Sequence, residues 1–281
     1  MSQKQMSNIH QKTVRGFGDE WSRFDQTELP AQEAHELFGK YFKLFPWEKL
    51  SANAIGFDMG CGSGRWAKIV ADKVHELYCI DASPLALEVA RKNLQEKTNC
   101  KFIHADFDNI PLADNSMEFG YSLGVLHHIP DTQSGLKNCI KKLKTQAPFL
   151  LYIYYAFDNR PAWFRGVWKI SDYLRRFVSR TPLFVRYILS QIIALAIYFP
   201  LARIAKIMEL LGFNVKNFPL AAYKDYSFYS MRTDALDRFG TQLEKRFTAK
   251  QIQEMMKQAG LENITFSDSM PYWCAVGYKK D

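Results

Sequence analysis

Apolar side chains follow two alternating patterns over residues 30–156. Short apolar runs predict buried strands, and between them apolar positions three and four residues apart predict amphipathic helices. Strands that alternate with helices in this way favour a parallel sheet covered by helices on both faces. The predicted strands are 54–59, 77–80, 101–104, 119–122 and 149–155.

The alternation stops after the fifth strand and resumes near the C-terminus. Residues 158–215 carry aromatic, arginine-rich helical patterns, which we interpret as a helical insertion. A capping box that begins at Thr248 then predicts a final helix. The runs 263–267 and 273–278 predict a closing β-hairpin at one side of the sheet.

These patterns predict an α/β fold: a doubly wound, mostly parallel, seven-strand sheet of the Rossmann-like type with a helical insertion after the fifth strand. We divide it into an N-terminal helical segment over the ligand site (1–48), a ligand-binding core (49–157), the insertion (158–215) and the remainder of the core (216–281). The composition, 47% hydrophobic and 23% charged, excludes a disordered or fibrous chain.

The net charge of +8 is concentrated in the insertion. Residues 160–206 contain nine Lys or Arg and a single acid, Asp172, whereas the rest of the chain is balanced. The 16 uncharged residues 187–202 are fewer than the roughly 20 that span a bilayer, so a spanning helix is not expected. Two interpretations stay open: a cap over the ligand edge of the sheet, or a surface for anionic lipid. A nucleic-acid surface is disfavoured because the segment is so apolar.

The cysteines and the N-terminus indicate a reducing compartment. Five cysteines, an odd number, are widely spaced, so neither a disulfide framework nor a CxxC metal site is expected. The N-terminus lacks the apolar core of a signal sequence. We therefore expect a cytoplasmic protein with reduced, mostly buried thiols.

The turn after the first predicted strand is the first candidate for chemistry. Glycine permits a tight turn and lets a ligand approach the backbone closely, although close packing of strand and helix would also need it. A dinucleotide fingerprint requires a further glycine where Arg65 stands, which disfavours a nicotinamide-linked oxidoreductase. The turn reads Asp58-Met59-Gly60-Cys61-Gly62-Ser63-Gly64.

Two carboxylates follow the next two predicted strands. Asp81 ends the second strand, where a carboxylate can accept hydrogen bonds from both hydroxyls of a ribose. Asp106 follows the third strand, beside Phe107, whose ring could cover a base. Because the carboxyl ends of parallel strands meet at one edge of a sheet, we expect these groups to converge with the glycine turn.

In these motifs, over roughly residues 50–156, the sequence resembles the class I S-adenosylmethionine-dependent methyltransferases. The resemblance implies S-adenosylmethionine as cofactor, S-adenosylhomocysteine as product, and no metal. It also implies that the glycine turn holds the methionine part, Asp58 its amino group, Asp81 the ribose, and Asp106 with Phe107 the adenine. The cofactor-binding residues expected from it are Asp58, Gly60, Cys61, Gly62, Gly64, Asp81, Ala82, Asp106, Phe107 and Leu123.

Two adjacent histidines follow the fourth predicted strand and are the candidate catalytic residues. Methyl transfer depends mainly on in-line alignment, so a general base is needed only for a poorly nucleophilic acceptor. His127 or His128 could supply it. Because adjacent side chains tend to point apart, at most one is expected to act; a structural hydrogen-bonding role is the main alternative, and metal ligation a lesser one.

Candidate acceptor-binding residues lie outside the core. Trp21 and Arg23 belong to an N-terminal segment that could fold over the cofactor, as in the resembled family. Asp237 and Arg238 belong to the stretch 234–246, whose charges alternate in sign. For this stretch a solvated, ion-paired surface is the alternative to substrate contact.

The sequence thus predicts a methyltransferase for a small-molecule acceptor, with oxygen favoured, on a sugar, a lipid-linked or another amphiphilic metabolite. The alternatives are an RNA methyltransferase and a non-catalytic module that binds an adenosine ligand. The expected location is the cytoplasm, with residues 160–206 in peripheral contact with the inner face of a membrane as an open alternative. The oligomeric state is not indicated.

Overall fold

A computed structural model describes residues 8–281 and divides them into two compact units. The sheet unit contains residues up to Ser22, Leu37–Ala156 and Leu243–Asp281. The insertion unit contains Arg23–Glu36 and Phe157–Gln242.

The sheet unit has the predicted architecture. Seven strands are arranged in the order β3-β2-β1-β4-β5-β7-β6, and only β7 is antiparallel to its neighbours. The α/β fold class with a mostly parallel seven-strand sheet is therefore confirmed. The strands are β1 (Ile55–Met59), β2 (Glu76–Asp81), β3 (Cys100–His104), β4 (Phe119–Leu123), β5 (Pro148–Tyr152), β6 (Leu261–Phe266) and β7 (Ala275–Lys279).

The helices begin where local signals predict them. Ser83 accepts a hydrogen bond from the amide of Ala86 and precedes Pro84, while Thr248 and Gln251 form the predicted capping box. The helices are α1 (Gln11–Arg23), α2 (Ala31–Tyr41), α3 (Ala67–Val70), α4 (Pro84–Asn93), α5 (Thr132–Lys142), α6 (Ala162–Val178), α7 (Leu183–Ile193), α8 (Phe199–Leu210), α9 (Phe228–Gly240) and α10 (Ala249–Gln258).

The core of the sheet unit fixes the edge on which ligands can bind. Phe57, Leu136 and Phe149 belong to one buried apolar cluster. The strand β5 ends three residues earlier than predicted, because Tyr154 leaves the sheet and its carbonyl accepts a hydrogen bond from the amide of Phe247 (2.9 Å). The carboxyl ends of β1 to β4 lie at the edge where parallel sheets bind ligands.

The insertion unit extends beyond the predicted limits of 158–215. Residues 216–242, expected in the sheet unit, include α9, whose Met231, Ala235 and Phe239 pack in one apolar cluster with Ile193. Residues 23–36, expected with the N-terminal segment, also belong here, because Glu33 accepts hydrogen bonds from Ser227 and Ser230. Side-chain packing, which sequence periodicity does not report, sets these limits.

The apolar stretch of the insertion is longer than its uncharged part. Leu183–Leu210 is one helical run of 28 residues in which a π-helical turn, Ala194–Tyr198, joins α7 to α8. By length and composition it could cross a membrane, so the expectation that it is too short is wrong. Buried helices of soluble proteins pass the same test, and a third of its most apolar window is buried within the protein.

Candidate functional site

One cleft in the sheet unit is lined mainly by apolar surface with a few polar groups among it, as is usual for small-molecule sites. It lies where β1 to β4 end, and the N-terminal segment covers one side. Of the expected cofactor-binding residues, only Asp58 and Gly64 do not line it. Those that do are Gly60, Cys61, Gly62, Asp81, Ala82, Asp106, Phe107 and Leu123.

The glycine turn requires glycine at the positions that line the cleft. Gly60 and Gly62 have φ angles of 84° and 54°, in the left-handed region that other residues rarely adopt. A Cβ atom on Gly60 would lie 2.5 Å from the Val125 side chain. One on Gly62 would lie 2.9 Å from the Trp21 indole nitrogen. At Gly60 and Gly62 the wall of the cleft is therefore bare backbone, and Cys61 and Ser63 line it beside them.

Gly64 has a different role. A Cβ atom at this position would lie 2.8 Å from Leu94, at the C-terminal end of α4. Its φ angle of 77° is also in the left-handed region, so backbone conformation and close packing both require glycine here. The packing against Leu94 places Gly64 outside the cleft although it belongs to the motif.

Asp58, the penultimate residue of β1, is buried beside the glycine turn. Its Oδ2 atom has no hydrogen-bond partner among the described residues. Burial raises the pKa of its carboxyl group well above the ordinary value. An unsatisfied buried carboxyl oxygen is costly, and a cationic amino group is a partner that would stabilise its charged form. The residues present thus fit a ligand with an ammonium group.

Asp81 connects the glycine turn to α4. Its Oδ2 atom accepts a hydrogen bond from the amide of Gly62 (2.9 Å) and its Oδ1 atom one from the amide of Ser83 (2.8 Å). Burial raises the pKa of Asp81, whereas these hydrogen bonds lower it in part. Each carboxylate oxygen has two lone pairs, so Asp81 can hold the turn and still accept from a ligand hydroxyl.

Asp106 shapes the loop after β3. Its Oδ1 atom accepts hydrogen bonds from the amides of Asp108 (2.8 Å) and Asn109 (3.0 Å). The neighbouring Phe107 is buried and its ring is part of the cleft wall. The carboxylate and the ring therefore occur side by side, an arrangement that suits a purine with an exocyclic amino group.

The N-terminal segment lies over the cleft. Gly18 in α1 approaches Ser83 so closely that a Cβ atom would lie 2.7 Å from its hydroxyl. Asn8 fixes the start of the segment. Its backbone amide donates a hydrogen bond to Asp108 Oδ2 (2.9 Å). Its side chain forms two hydrogen bonds with the backbone of Asp131: Nδ2 donates to the carbonyl (2.9 Å) and Oδ1 accepts from the amide (2.6 Å). Residues 1–7 of the predicted covering segment lie outside the described part.

Sequence reasoning identified Trp21 in this segment but missed most of the residues that line the cleft with it. Their spacing carried a signal, because intervals of four, three and four residues place side chains on one face of a helix. The residues on that face are His10, Val14, Phe17 and Trp21.

His128, the second of the two candidate histidines, lines the cleft. It ends a short 3₁₀ helix, Leu126–His128, that follows β4. Its Nδ1–H donates to the carbonyl of Leu243 (2.7 Å), which leaves the lone pair of the neutral ring on Nε2. The centre of its ring lies 5.0 Å from that of Phe17. The side chain is only 3% exposed and Nε2 is buried, so an acceptor can reach Nε2 only from within the cleft.

His127 does not line the cleft and is fully buried. The rings of His127 and His128 are in contact, with centres 3.8 Å apart, so these side chains do not point apart as expected. Neither ring nitrogen of His127 has a hydrogen-bond partner among the described residues. Burial lowers its pKa well below the ordinary value, so the ring is held neutral.

A buried polar cluster behind the two histidines was not predicted. Arg246 forms an ion pair with Glu244 (2.8 Å), and its guanidinium lies 4.9 Å from the centre of the Tyr154 ring. The Tyr154 ring is in turn 3.9 Å from that of His127. The alternating charges of 234–246 were interpreted as a solvated surface, but the Glu244 side chain is only 2% exposed.

The other expected acceptor-binding residues belong to the insertion unit and do not line the cleft. The Arg23 guanidinium lies 4.6 Å from the centre of the Tyr187 ring. Arg238 donates to the Ser171 hydroxyl (3.2 Å), and Asp237 accepts from the Thr241 hydroxyl (3.5 Å). These are contacts within the insertion unit.

The described residues also bear on two further expectations, that the cysteines are reduced and buried and that no metal site is present. All five cysteines are buried and none is in a disulfide. Among residues 8–281 there is no group of three or more His, Cys, Asp or Glu that could hold a metal ion.

Comparison with known proteins identifies the domain that contains the cleft. Residues 57–151 match the methyltransferase domain family. A sterol 4-C-methyltransferase of Caenorhabditis elegans is 27% identical over 107 residues, 37% of this chain and 32% of the relative. A protein of Bos taurus named probable tRNA methyltransferase 9B is 30% identical over 100 residues, 34% of this chain and 20% of the relative. The match thus spans about a third or less of these relatives.

A solved structure extends the likeness to the fold of nearly the whole chain. A SAM-dependent methyltransferase from Thermotoga maritima superposes with a TM-score of 0.52 at 13% identity, covering 97% of this chain and 100% of its own. At this identity the likeness concerns the fold alone. The domain match itself confirms, for residues 57–151, the methyltransferase family predicted from the glycine turn and the S-adenosylmethionine that this family uses.

Proposed function

We propose that this chain, whose residues 57–151 are a class I methyltransferase domain, transfers a methyl group from S-adenosylmethionine to an oxygen atom of a small amphiphilic acceptor. One observation carries the proposal: the glycine turn, Asp81, Asp106 and Phe107 line a single cleft in the matched domain. The location that we propose is the cytoplasm, since five buried cysteines without a disulfide fit a reducing compartment.

The residues of the cleft, with Asp58 buried beside it, fit the parts of this cofactor. The unsatisfied Asp58 carboxyl suits its amino group, the Asp81 carboxylate its ribose, and Asp106 with Phe107 its adenine. When bound, S-adenosylmethionine supplies an electrophilic methyl group on a sulfonium. The contribution of the protein is orientation, which can lower the barrier by about 7 to 11 kcal/mol, and the exclusion of water.

His128 is the residue that we assign to the acceptor. A hydroxyl is a weak nucleophile, so loss of its proton to a nearby base assists attack. The Nε2 lone pair of His128 can take that proton, while the carbonyl of Leu243 keeps the ring oriented and stabilises its protonated form. His127, fully buried and neutral, is assigned a packing role against Tyr154.

The apolar residues of the cleft favour an amphiphilic acceptor. Ile9, Val14, Phe17 and Trp21 contribute apolar surface next to the polar ends of the strands. A sugar, a lipid-linked or another amphiphilic metabolite would satisfy both kinds of wall. The sterol substrate in the name of one relative supports an acceptor of this kind.

A radiolabelled methyl-transfer assay on a fractionated lysate tests the proposal. We expect label in a lipid, glycan or small-molecule fraction. His128→Gln should lower kcat by about 100- to 10,000-fold without weakening cofactor binding, because only proton transfer is lost. His75→Gln, an exposed histidine outside the cleft, is the matched control. An unchanged kcat in His128→Gln would exclude the assigned base.

Two alternatives give different results in the same assay. The tRNA methyltransferase among the relatives supports an RNA acceptor, for which label would enter the RNA fraction and binding would fall steeply with salt. A regulatory module would bind S-adenosylmethionine in calorimetry and transfer no label to any fraction. Either result would overturn the proposed acceptor.

A further inference from the structure

The insertion unit holds almost all the large apolar side chains that the described chain exposes. Outside it only Leu85 and Met270 are comparably exposed, whereas the insertion exposes such residues along all of α6 to α8. So much exposed apolar surface is unusual on a monomer and marks an interaction site. Its exposed members are Trp163, Val167, Ile170, Tyr173, Leu174, Phe177, Phe184, Val185, Ile188, Ile192, Leu195, Ile197, Phe199, Ile204, Ile207, Leu210, Leu211 and Phe213.

The helix α6 buries one ion pair and exposes most of its large apolar side chains. It buries Asp172 and Arg175, which form an ion pair (2.6 Å). Its exposed apolar residues recur at intervals of four, three, four and three, so they form one stripe along the helix. Ile170 in this stripe is 72% exposed and Phe177 67%. The stripe consists of Trp163, Val167, Ile170, Leu174 and Phe177.

The following helical run continues this arrangement. In α7, Arg186 and Ser190 are buried, and Arg186 donates to the carbonyls of Ser179 (2.7 Å) and Thr181 (3.1 Å). The exposed positions Phe184, Ile188, Ile192 and Leu195 are again three or four residues apart. Two consecutive helical segments therefore turn apolar stripes to the exterior.

Basic side chains accompany the α6 stripe and limit what can cover it. Arg165 and Lys169 are exposed on the same helix, and Arg180 is exposed just beyond its end. Over residues 160–206 the net charge is +8, the whole excess of the chain. Apolar side chains flanked by Lys and Arg, with Trp and Phe among them, are typical of helices that lie in the headgroup region of an anionic bilayer.

We propose that the α6 to α8 surface docks on an anionic lipid bilayer, with its apolar stripes in the interface and Arg165, Lys169 and Arg180 on the lipid phosphates. The occupant follows from charge complementarity: a second copy of this chain would bring the same positive charge to the same surface. The inference concerns the insertion unit alone and does not depend on the proposed methyl transfer.

Flotation of the full chain with preformed vesicles tests this surface. We expect binding to equimolar phosphatidylglycerol and phosphatidylcholine, weaker binding as salt is raised, and little binding to phosphatidylcholine alone. Combined replacement of Arg165, Lys169 and Arg180 by Gln should lower the partition coefficient about 100-fold, at roughly 1 kcal/mol for each charge near the surface. Ile170→Asp with Phe177→Asp should lower it by about as much.

The controls distinguish binding through this surface from non-specific adsorption of apolar side chains, and loss of binding from misfolding. Met270→Asp changes an apolar residue of the sheet unit that is 39% exposed, and should leave vesicle binding unchanged. Circular dichroism and binding of S-adenosylhomocysteine should be the same for all variants, since every altered side chain is exposed. Variants that bind like the wild type would refute the proposal.

Three further results would overturn it. Equal, salt-independent binding to both kinds of vesicle would show that lipid charge is irrelevant. Protein that remains with the bilayer after high salt and an alkaline wash would indicate that the Leu183–Leu210 run spans it. A stable dimer in light scattering that binds no vesicles would assign the surface to a second copy.

Discussion

The helices α5 and α6 are both amphipathic, but they turn opposite faces inward. In the sheet unit, α5 buries Leu136 and Ile140 and exposes Lys137. In the insertion unit, α6 buries the Asp172–Arg175 ion pair and exposes Ile170. The first arrangement gains stability by removing apolar surface from water, whereas the second leaves that surface available for another medium.

The difference shows what a periodic pattern can and cannot report. Spacing of three and four residues reveals that a helix has two faces, but not which face points inward. In α6 the charges of Asp172 and Arg175 are buried beside Val178, which is possible because they have partners: Arg175 donates to Asp172 and to the carbonyl of Thr241 (2.9 Å). Burial raises the pKa of Asp172, but Arg175 and Arg176 outweigh this and hold it below its ordinary value.

Removal of the buried partner from this ion pair should give the largest loss of stability. Arg175→Met leaves the Asp172 carboxylate in the interior with only its outer partner, at a cost of about 3 to 5 kcal/mol. Arg176→Met is the control, because Arg176 contacts the other Asp172 oxygen (2.9 Å) but its side chain is 58% exposed. It should cost less than about 1 kcal/mol. Urea denaturation measures both, and equal losses would show that α6 is not buried on its charged face.

Truncation to alanine compares the buried apolar face of α5 with the exposed apolar stripe of α6. Leu136→Ala in α5 creates a cavity in the core and should cost about 2 to 5 kcal/mol. Ile170→Ala in α6 removes a side chain from solvent and should change stability by less than about 0.5 kcal/mol. The midpoint of chemical denaturation reports both. A large loss in Ile170→Ala alone would mean that its stripe is covered in solution.

Most of the sheet and much of the cleft could be predicted because local signals and tertiary structure agree there. The glycines, Asp81 and Asp106 stand at strand ends, and the topology of a parallel sheet brings strand ends together. The capping box at Thr248 likewise depends only on near neighbours. Periodicity also fixed the strands, since a strand covered on both faces is a plain apolar run.

The remaining features depend on contacts between distant parts of the sequence. Asn8 joins the cleft through Asp108 and Asp131, about 100 and 123 positions away, and no local pattern reports this. The limits of the insertion unit depend on packing of α9 against Ile193. Glu244 was expected on a solvated surface, yet it is buried with Arg246.

A substitution in the cleft should weaken cofactor binding by the sheet unit without affecting the insertion unit. Asp81→Asn removes a charge and an acceptor oxygen, so S-adenosylmethionine should bind more weakly by about 1 to 3 kcal/mol, roughly 5- to 150-fold in Kd. Vesicle binding should not change. Asp114→Asn, which breaks an exposed ion pair with Lys142, is the control in the same unit. Titration calorimetry measures the affinity, and an unchanged Kd in Asp81→Asn would remove Asp81 from the cofactor site.

The smallest expected effect concerns His127, a buried residue of the sheet unit whose ring nitrogens have no hydrogen-bond partner among the described residues. His127 is held neutral because its folded-state pKa is lowered, whereas in the unfolded chain it titrates near the ordinary value of about 6.5. Above pH 6.5 both states are neutral and the histidine has no effect on the pH dependence. As the pH falls below 6.5, the unfolded state binds an extra proton, so the wild-type protein loses stability by up to about 1.4 kcal/mol per pH unit.

His127→Phe removes this proton uptake while it keeps a ring next to Tyr154. Relative to its difference from the wild type at pH 7.5, the variant should therefore gain up to about 2 kcal/mol at pH 5, whatever the packing of the new ring costs. The measurement is the difference between the two unfolding free energies across this range, with fluorescence and circular dichroism followed together. Because the carboxyls of Asp58 and Asp81 are present in both proteins, their contributions cancel in the difference. If the difference in unfolding free energy does not change with pH, His127 takes up a proton equally in the folded and unfolded states. That result would mean that His127 is not buried in solution.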